Sequence, residues 1–384
     1  MCLYSAGMRW RRLLTVILVA LLAVAGCRAD PAVVERLEGK RDHIQAMLVE
    51  RVLSGEDVAN YVARMQEAAA HFDKGEVAEG EAIMDAVIAD LESGEGGVTA
   101  GPAGGSGTGA FGPPQRVKIL GFDESLGAME PFLGRDGRIL LFNSQHRGRT
   151  PPDLYWAERI DDRTFRFRGA IRGANSAAVD GAPSMDRNGR LYFISPRAYG
   201  AKLATIHTAR FDGGAVSGLR LVDGDVAPGR PGWPNMDAEI SADGRTLYYC
   251  VNEWNTRANL PKTSDLLVAH LAASGFETPG NAADIFRAVN SGDLEYAPAL
   301  AADERELFFT RARFDFEGDR LVLARTVIMV ATRTSAADPF GPPVRIASIT
   351  GFVEGPTISP DGQRLYYHKR DGERFHLYMV ERRG

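Results

Sequence analysis

A mainly β fold, built from five copies of one four-stranded unit, is what this sequence predicts, and three observations predict it. A turn of the Asp-Gly kind followed by an apolar triplet recurs five times between residues 134 and 367. Successive turns lie 52–60 residues apart, the length of a four-stranded unit with generous loops. The segment "FGPPQRVKIL" (111–120), ahead of the first copy, echoes "FGPPVRIASI" (340–349) in the fourth. The last copy stops after its third strand, so the early segment is free to complete it.

The chain begins with a targeting segment. Arg9, Arg11 and Arg12 precede the apolar run "LLTVILVALLAVAG" (13–26), which is short for a membrane span. "VAGC" (24–27) resembles the lipobox of bacterial lipoproteins. That resemblance implies residues 1–26 as signal peptide, lipid on Cys27, and an anchor in the cell envelope. Arg28 follows the cysteine, and the absence of Asp there favours the outer membrane, with the protein facing the periplasm. The formal net charge of −5 becomes −8 without the signal, which does not suit a nucleic-acid partner. The remaining cysteines are Cys2, inside the signal, and Cys250, which has no partner for a disulfide and sits in the strand-like run "LYYC".

Residues 27–92 are expected to form a helical neck. Val34, Leu37, Ile44 and Leu48, then Val58, Val62, Met65 and Phe72, then Ile83, Val87 and Leu91 recur at helical spacing. "DKGE" (73–76) reads as the turn of an αα-hairpin. Residues 93–113 contain nine glycines and read as a flexible linker. "GGSGTG" (104–109) is not a phosphate loop, because no Lys-Ser or Lys-Thr closes it.

The repeat domain is expected over 114–384. Its turns are "GRDG" (134–137), "DRNG" (186–189), "SADG" (241–244), "AADE" (301–304) and "SPDG" (359–362). The triplets are Leu140-Leu141-Phe142, Leu191-Tyr192-Phe193, Leu247-Tyr248-Tyr249, Leu307-Phe308-Phe309 and Leu365-Tyr366-Tyr367. Asp-Gly supplies the positive φ of a tight hairpin, and flat aromatic residues pack between stacked sheets. Third strands are expected at 153–159, 205–211, 265–271, 327–333 and 376–382. Fourth strands are expected at 164–170, 218–224, 284–290 and 343–349. A four-stranded unit cannot cover its own faces, so the copies should form a five-bladed β-propeller closed by the N-terminal strand. Six blades fit the count less well. "ISPDGQRLYY" (358–367), "ISADGRTLYY" (240–249) and "PSMDRNGRLYF" (183–193) resemble the TolB-type, WD-like propeller repeat. The resemblance covers residues 111–384 and is specific for fold rather than activity.

One acid stands near the start of each expected inner strand: Glu130, Asp180, Asp237, Glu295 and Glu354. Two readings stay open. The acids ring the channel mouth and recruit a cation or a basic partner segment, or each makes a repeated hydrogen bond to a neighbouring loop. Paired carboxylates also suit a glycoside hydrolase or lyase. Trp233, on "GRPGWPNMDAE" (229–239), is an aromatic platform if exposed and core if packed. "DFEGDR" (315–320) offers carboxylates for Ca²⁺ but lacks an EF-hand ligand ladder. No cofactor and no zinc site is readable from the histidines. The expectation is a monomeric, lipid-anchored envelope protein that binds proteins or glycans at the channel face, with no catalytic residues assigned.

Overall fold

The structure, a computed structural model, describes residues 31–53, 59–93, 111–145, 151–255, 260–317 and 320–383. The signal segment, Cys27, most of the glycine-rich stretch and part of 315–320 lie outside them. The chain divides into two compact units, Met1–Gly105 and Ser106–Gly384.

Among the described residues the first unit holds three helices, α1 (Pro31–Leu53), α2 (Ala59–Asp73) and α3 (Val77–Ser93). Leu37, Ile44 and Leu48 pack with Tyr61, Met65 and Phe72 and with Met84, Val87 and Leu91. A Cβ on Gly80 would lie 2.5 Å from the Phe72 ring, so glycine there lets the ring lie against α3. Glu81 takes hydrogen bonds from Arg36 and Lys40, and these hold its carboxyl down at about 2. No helix among the described residues is long and apolar enough to cross a membrane.

The second unit is mainly β. It opens with β1 (Gln115–Arg116) and β2 (Lys118–Leu120). The first copy comprises β3 (Ala128–Leu133), β4 (Ile139–Ser144), β5 (Leu154–Arg159) and β6 (Thr164–Ala170). The second comprises β7 (Gly181–Met185), β8 (Arg190–Ile194), β9 (Ile206–Asp212) and β10 (Ala215–Leu221). The third comprises β11 (Asn235–Ile240), β12 (Thr246–Asn255), β13 (Leu260–Ala272) and β14 (Gly275–Glu277). The fourth comprises β15 (Leu294–Leu300), β16 (Glu306–Glu317), β17 (Arg320–Thr332) and β18 (Val344–Arg345). The fifth comprises β19 (Val353–Ile358), β20 (Arg364–Asp371) and β21 (Arg374–Glu381). Each copy is an antiparallel meander. A single parallel pair, Ser264 with Leu294, joins the third and fourth into one eight-stranded sheet.

β1 pairs with β21 as the fourth strand of the fifth copy, and the Val117 N–H donates to the Leu377 carbonyl at 2.9 Å. β2 then leaves that sheet to run parallel to β6 of the first copy. The innermost strands β3, β7, β11, β15 and β19 contact one another in order, and β19 contacts β3.

One expected strand is corrected. Residues 284–290 carry no strand; Ala282–Ile285 is a short helix running into turns, and β14 is the fourth strand instead. Ala282, Ile285, Phe286 and Val289 are all buried in one cluster between the third and fourth copies. Their spacing is that of a helix face, which a short apolar run conceals. The turn "AADE" also departs from its glycine-bearing siblings: Glu304 takes φ 57, and its carboxylate accepts from the Tyr248 hydroxyl at 2.6 Å.

The triplets explain the packing. Side chains alternate across a strand, so each triplet faces two neighbours at once. Leu247 and Tyr249 pack with the second copy, whereas Tyr248 packs with the fourth. Leu307 and Phe309 face the third copy and Phe308 the fifth. Leu365 and Tyr367 face the fourth copy, while Tyr366 reaches the first. Phe308→Ala should therefore cost about 3–5 kcal/mol in chemical denaturation, while Leu120→Ala, at a side chain 48% exposed, should stay within about 0.5 kcal/mol.

Candidate functional site: the centre of the inner strands

Each inner strand is kinked by a bulge. Counting back three residues from the partners of Leu140, Leu191, Leu247, Leu307 and Leu365 gives Glu130, Ala182, Asp237, Ala297 and Gly355 as equivalent positions. Glu130, Ala182 and Ala297 hold φ of 48°, 49° and 50°, and Gly355 holds 61°. A proline follows each of these four, which suits a place where the ladder needs no donor. The bulge turns the residue's own N–H toward the preceding unit, where the residue just after the triplet usually accepts it. The Ala182 N–H donates to Asn143 Oδ1 at 3.1 Å, Gly355 to Thr310 Oγ1 at 3.1 Å and Glu130 to His368 Nδ1 at 3.1 Å. In the third copy that acceptor position is Cys250. There Asp237 substitutes, taking the Ala297 N–H on Oδ2 at 3.2 Å.

The structure separates the five predicted acids. Asp180 and Glu295 lie two residues before the bulge position and are fully buried. Asp180 accepts from the Ser176 N–H at 2.6 Å and its hydroxyl at 2.9 Å, and pairs with Arg197. Glu295 accepts from the Ser291 N–H at 3.0 Å and its hydroxyl at 2.6 Å, and pairs with Arg311 at 2.6 Å. The same two-part tie thus serves two loops. Asn175 and Asn290, one residue before each serine, clamp the backbone of Leu154 and Leu266. The repeated "NS" in "GANSAAVD" (173–180) and "AVNSGDLE" (288–295) was the sequence signal for both.

Glu130, Asp237 and Glu354 come together. Glu354 accepts from the Tyr296 hydroxyl and sits 3.2 Å from His368 Nε2. Since His368 Nδ1 accepts from the Glu130 backbone, the imidazole proton belongs on Nε2, aimed at Glu354. Glu130 Oε1 lies 3.8 Å from the same ring. A Cβ on Gly355 would fall 2.8 Å from Glu130 Oε2, so glycine admits that carboxylate. Burial, then the charges of Asp237 and Glu354, pushes the Glu130 carboxyl well above the usual carboxylate range. Burial, with Glu354 adding to it, pushes Asp237 up to about 6. Burial lifts Tyr296 well above its ordinary value, helped by Glu354. Burial also pushes the Cys250 thiol up to about 12, an unreactive state, with its Sγ 3.6 Å from Asp237 Oδ2.

The bulges line a cavity of about 30 Å³ to a water-sized sphere, room for about two waters. Its walls are mostly proline, alanine and the two acids Glu130 and Asp237, with Glu239 at the far end of β11. Arg135, from the first turn, crosses to Glu239 at 2.6 Å and to the carbonyls of Met185 and Ile240. Ser184 Oγ donates to the other Glu239 oxygen at 2.8 Å. These residues bridge the centre at the turn end of the inner strands. Among the described residues, no group of three or more His, Cys, Asp or Glu is arranged to hold a metal ion. Trp233 is half-buried, with the Arg230 guanidinium carbon 3.5 Å from its ring centroid and its backbone N–H donating to the Tyr199 hydroxyl at 3.0 Å. One face of that ring is therefore already covered.

No family model matches the sequence, and no curated protein matches it. Among solved structures it is similar to TolB from Acinetobacter baumannii at 14% identity, covering 67% of this chain and 55% of that one, with a TM-score of 0.37. It is similar to the catalytic domain of the GH62 α-L-arabinofuranosidase from Coprinopsis cinerea at 12% identity, over 71% of this chain and 97% of that one, with a TM-score of 0.46. A thermostable family-43 glycoside hydrolase matches at 12% identity, over 66% and 88%, with a TM-score of 0.37. The neighbours include TolB proteins and glycoside hydrolases alike, and neither is singled out.

Arg135→Ala should strand the Glu239 carboxylate, which is 4% exposed, at a cost of about 3–5 kcal/mol. Replacing Arg135 and Glu239 together by Met and Leu should recover most of that loss in a double-mutant cycle.

Proposed function

We propose that the second unit is a five-bladed β-propeller, closed by β1, that serves as a docking module of the bacterial cell envelope. Its lipid anchor is Cys27, in the outer membrane with the protein facing the periplasm. Its docking site is the mouth carrying Glu130, Asp237 and Glu354. The occupant is a basic segment of an envelope protein. One observation carries this reading: Glu130 and Asp237, from two different copies, line one cavity with Glu354 of a third copy close enough to act on both, and among the described residues no lysine or arginine pairs with the three. Such a site attracts positive charge and rejects negative charge.

The cavity's walls support binding over glycoside hydrolysis. Phe132 is the one aromatic residue among its lining side chains. Asp180 and Glu295, two of the five acids, are committed to serine and arginine partners.

Chemical cross-linking in intact envelope, followed by capture of the lipidated chain, tests the proposal. A reproducible partner whose cross-linked segment is basic is the expected result, with binding that weakens about tenfold or more as salt rises from low to physiological strength. Sugar release from an arabinan or xylan by the purified chain would establish the hydrolase reading instead. Cys27→Ser should abolish labelling by a radioactive fatty acid and release the protein from membranes. Labelling that survives this substitution would refute the anchor.

A further inference from the structure

The same cavity has a property that does not need a partner. Glu130 comes from β3, Asp237 from β11, Glu354 and His368 from β19 and β20, and Tyr296 from β15. Thus Glu130 and Asp237 line one cavity, and groups from two further copies stand close behind them. Every other charged or titratable group against it is already engaged. Tyr296 donates to Glu354, His368 is held between Glu354 and the Glu130 N–H, Cys250 lies against Asp237, and Arg135 is paired with Glu239 at the far end. Glu354 has two donors aimed at it, the Tyr296 hydroxyl and His368 Nε2. Among the described residues the Glu130 carboxyl has no hydrogen-bond donor: the nearest His368 nitrogen, Nδ1 at 3.8 Å, is itself the acceptor of the Glu130 N–H. Asp237 has the Ala297 N–H and the weak Cys250 thiol donor, both on Oδ2, which leaves Oδ1 to carry a proton.

We propose that the centre of the inner strands is a proton-operated lock, in which proton uptake by Glu130 and Asp237 tightens the contact among the first, third and fifth copies and proton loss loosens it. Protonated, the two carboxyls are neutral. Ionised, Glu130 and Asp237 are like charges on the walls of one cavity with room for about two waters, where screening is weak. Burial and the neighbouring charges raise both groups in the folded state. The folded chain therefore keeps protons that the unfolded chain loses near pH ~4. The stabilisation is fully present below that value, falls as pH climbs through about 6 for Asp237, and continues to fall as Glu130 ionises. This direction is opposite to that of carboxylates in ion pairs, which lose stability as pH falls.

Thermal unfolding of the full chain, followed from about pH 5 to about pH 7.5, tests the lock. The wild type should lose several degrees of midpoint across this range in the transition of the β unit. Glu130→Gln and Asp237→Asn keep the shapes and remove the ionisation; each should flatten the slope, and together they should abolish it and raise the midpoint at the upper pH. An unchanged slope in the double variant, or a wild-type midpoint that is flat or rising, overturns the proposal. If either variant fails to fold, infrared titration of the wild-type chain decides. A protonated-carboxyl band persisting above about pH 5 sustains the lock, and its disappearance by that pH refutes it. Neither readout involves a docking partner, so failure of the lock and failure of the docking reading are separate results.

Discussion

The interaction on which this molecule depends is the double burial of each apolar triplet. A strand presents alternate residues to opposite sides, so Leu247 and Tyr249 must be covered by one neighbour and Tyr248 by the other. An open row of such sheets would leave two aromatic faces in water. Tyr366 of the last copy packing with Phe142 and Val117 removes that cost, because the final face is covered by the first copy. The pairing of β1 with β21 holds the ends through backbone hydrogen bonds: the start of the unit is paired into its last sheet.

Closure also determines what lies at the centre. Five inner strands that meet need a local device to satisfy backbone groups that face one another rather than a sheet. The bulges supply it by turning one N–H in each of four copies onto an acceptor from the preceding copy. Strained positive φ at Glu130, Ala182 and Ala297 is the cost of that arrangement. Where Cys250 cannot accept well, Asp237 does, and a carboxylate enters the centre for that reason. A second acid, Glu130, occupies the equivalent place in the first copy. The charged centre is thus a by-product of how the repeats diverge, and it is also the place best suited to a function.

Much of the architecture was legible in residue order. Turn, triplet and spacing announced a repeated β unit, and the echo of "FGPP" marked the strand that pairs with β21. The helix at 282–285 was not legible, because a seven-residue segment with four apolar residues does not declare its period until its neighbours choose a face. The acids were legible as a set but not in register. Asp180 and Glu295 stand two residues, and Glu354 one residue, ahead of the position that Glu130 and Asp237 occupy. A shift of one residue along a strand moves a side chain to the other face. His368, Tyr296 and Arg135 gave no warning, since nothing local marks a residue whose partner comes from another copy.

The amino-acid order by itself determined the number of repeats, the turn chemistry and the identity of the core triplets, because those properties are local and recur with a period. Only the tertiary structure decided which acids share a cavity, which are tied to serine and arginine, and which histidine nitrogen faces a carboxylate. Bulges shift register by one residue, and the packing of the last copy on the first brings together residues more than two hundred positions apart, such as Glu130 and His368. No short stretch of sequence contains that proximity, which arises only when the last unit packs against the first.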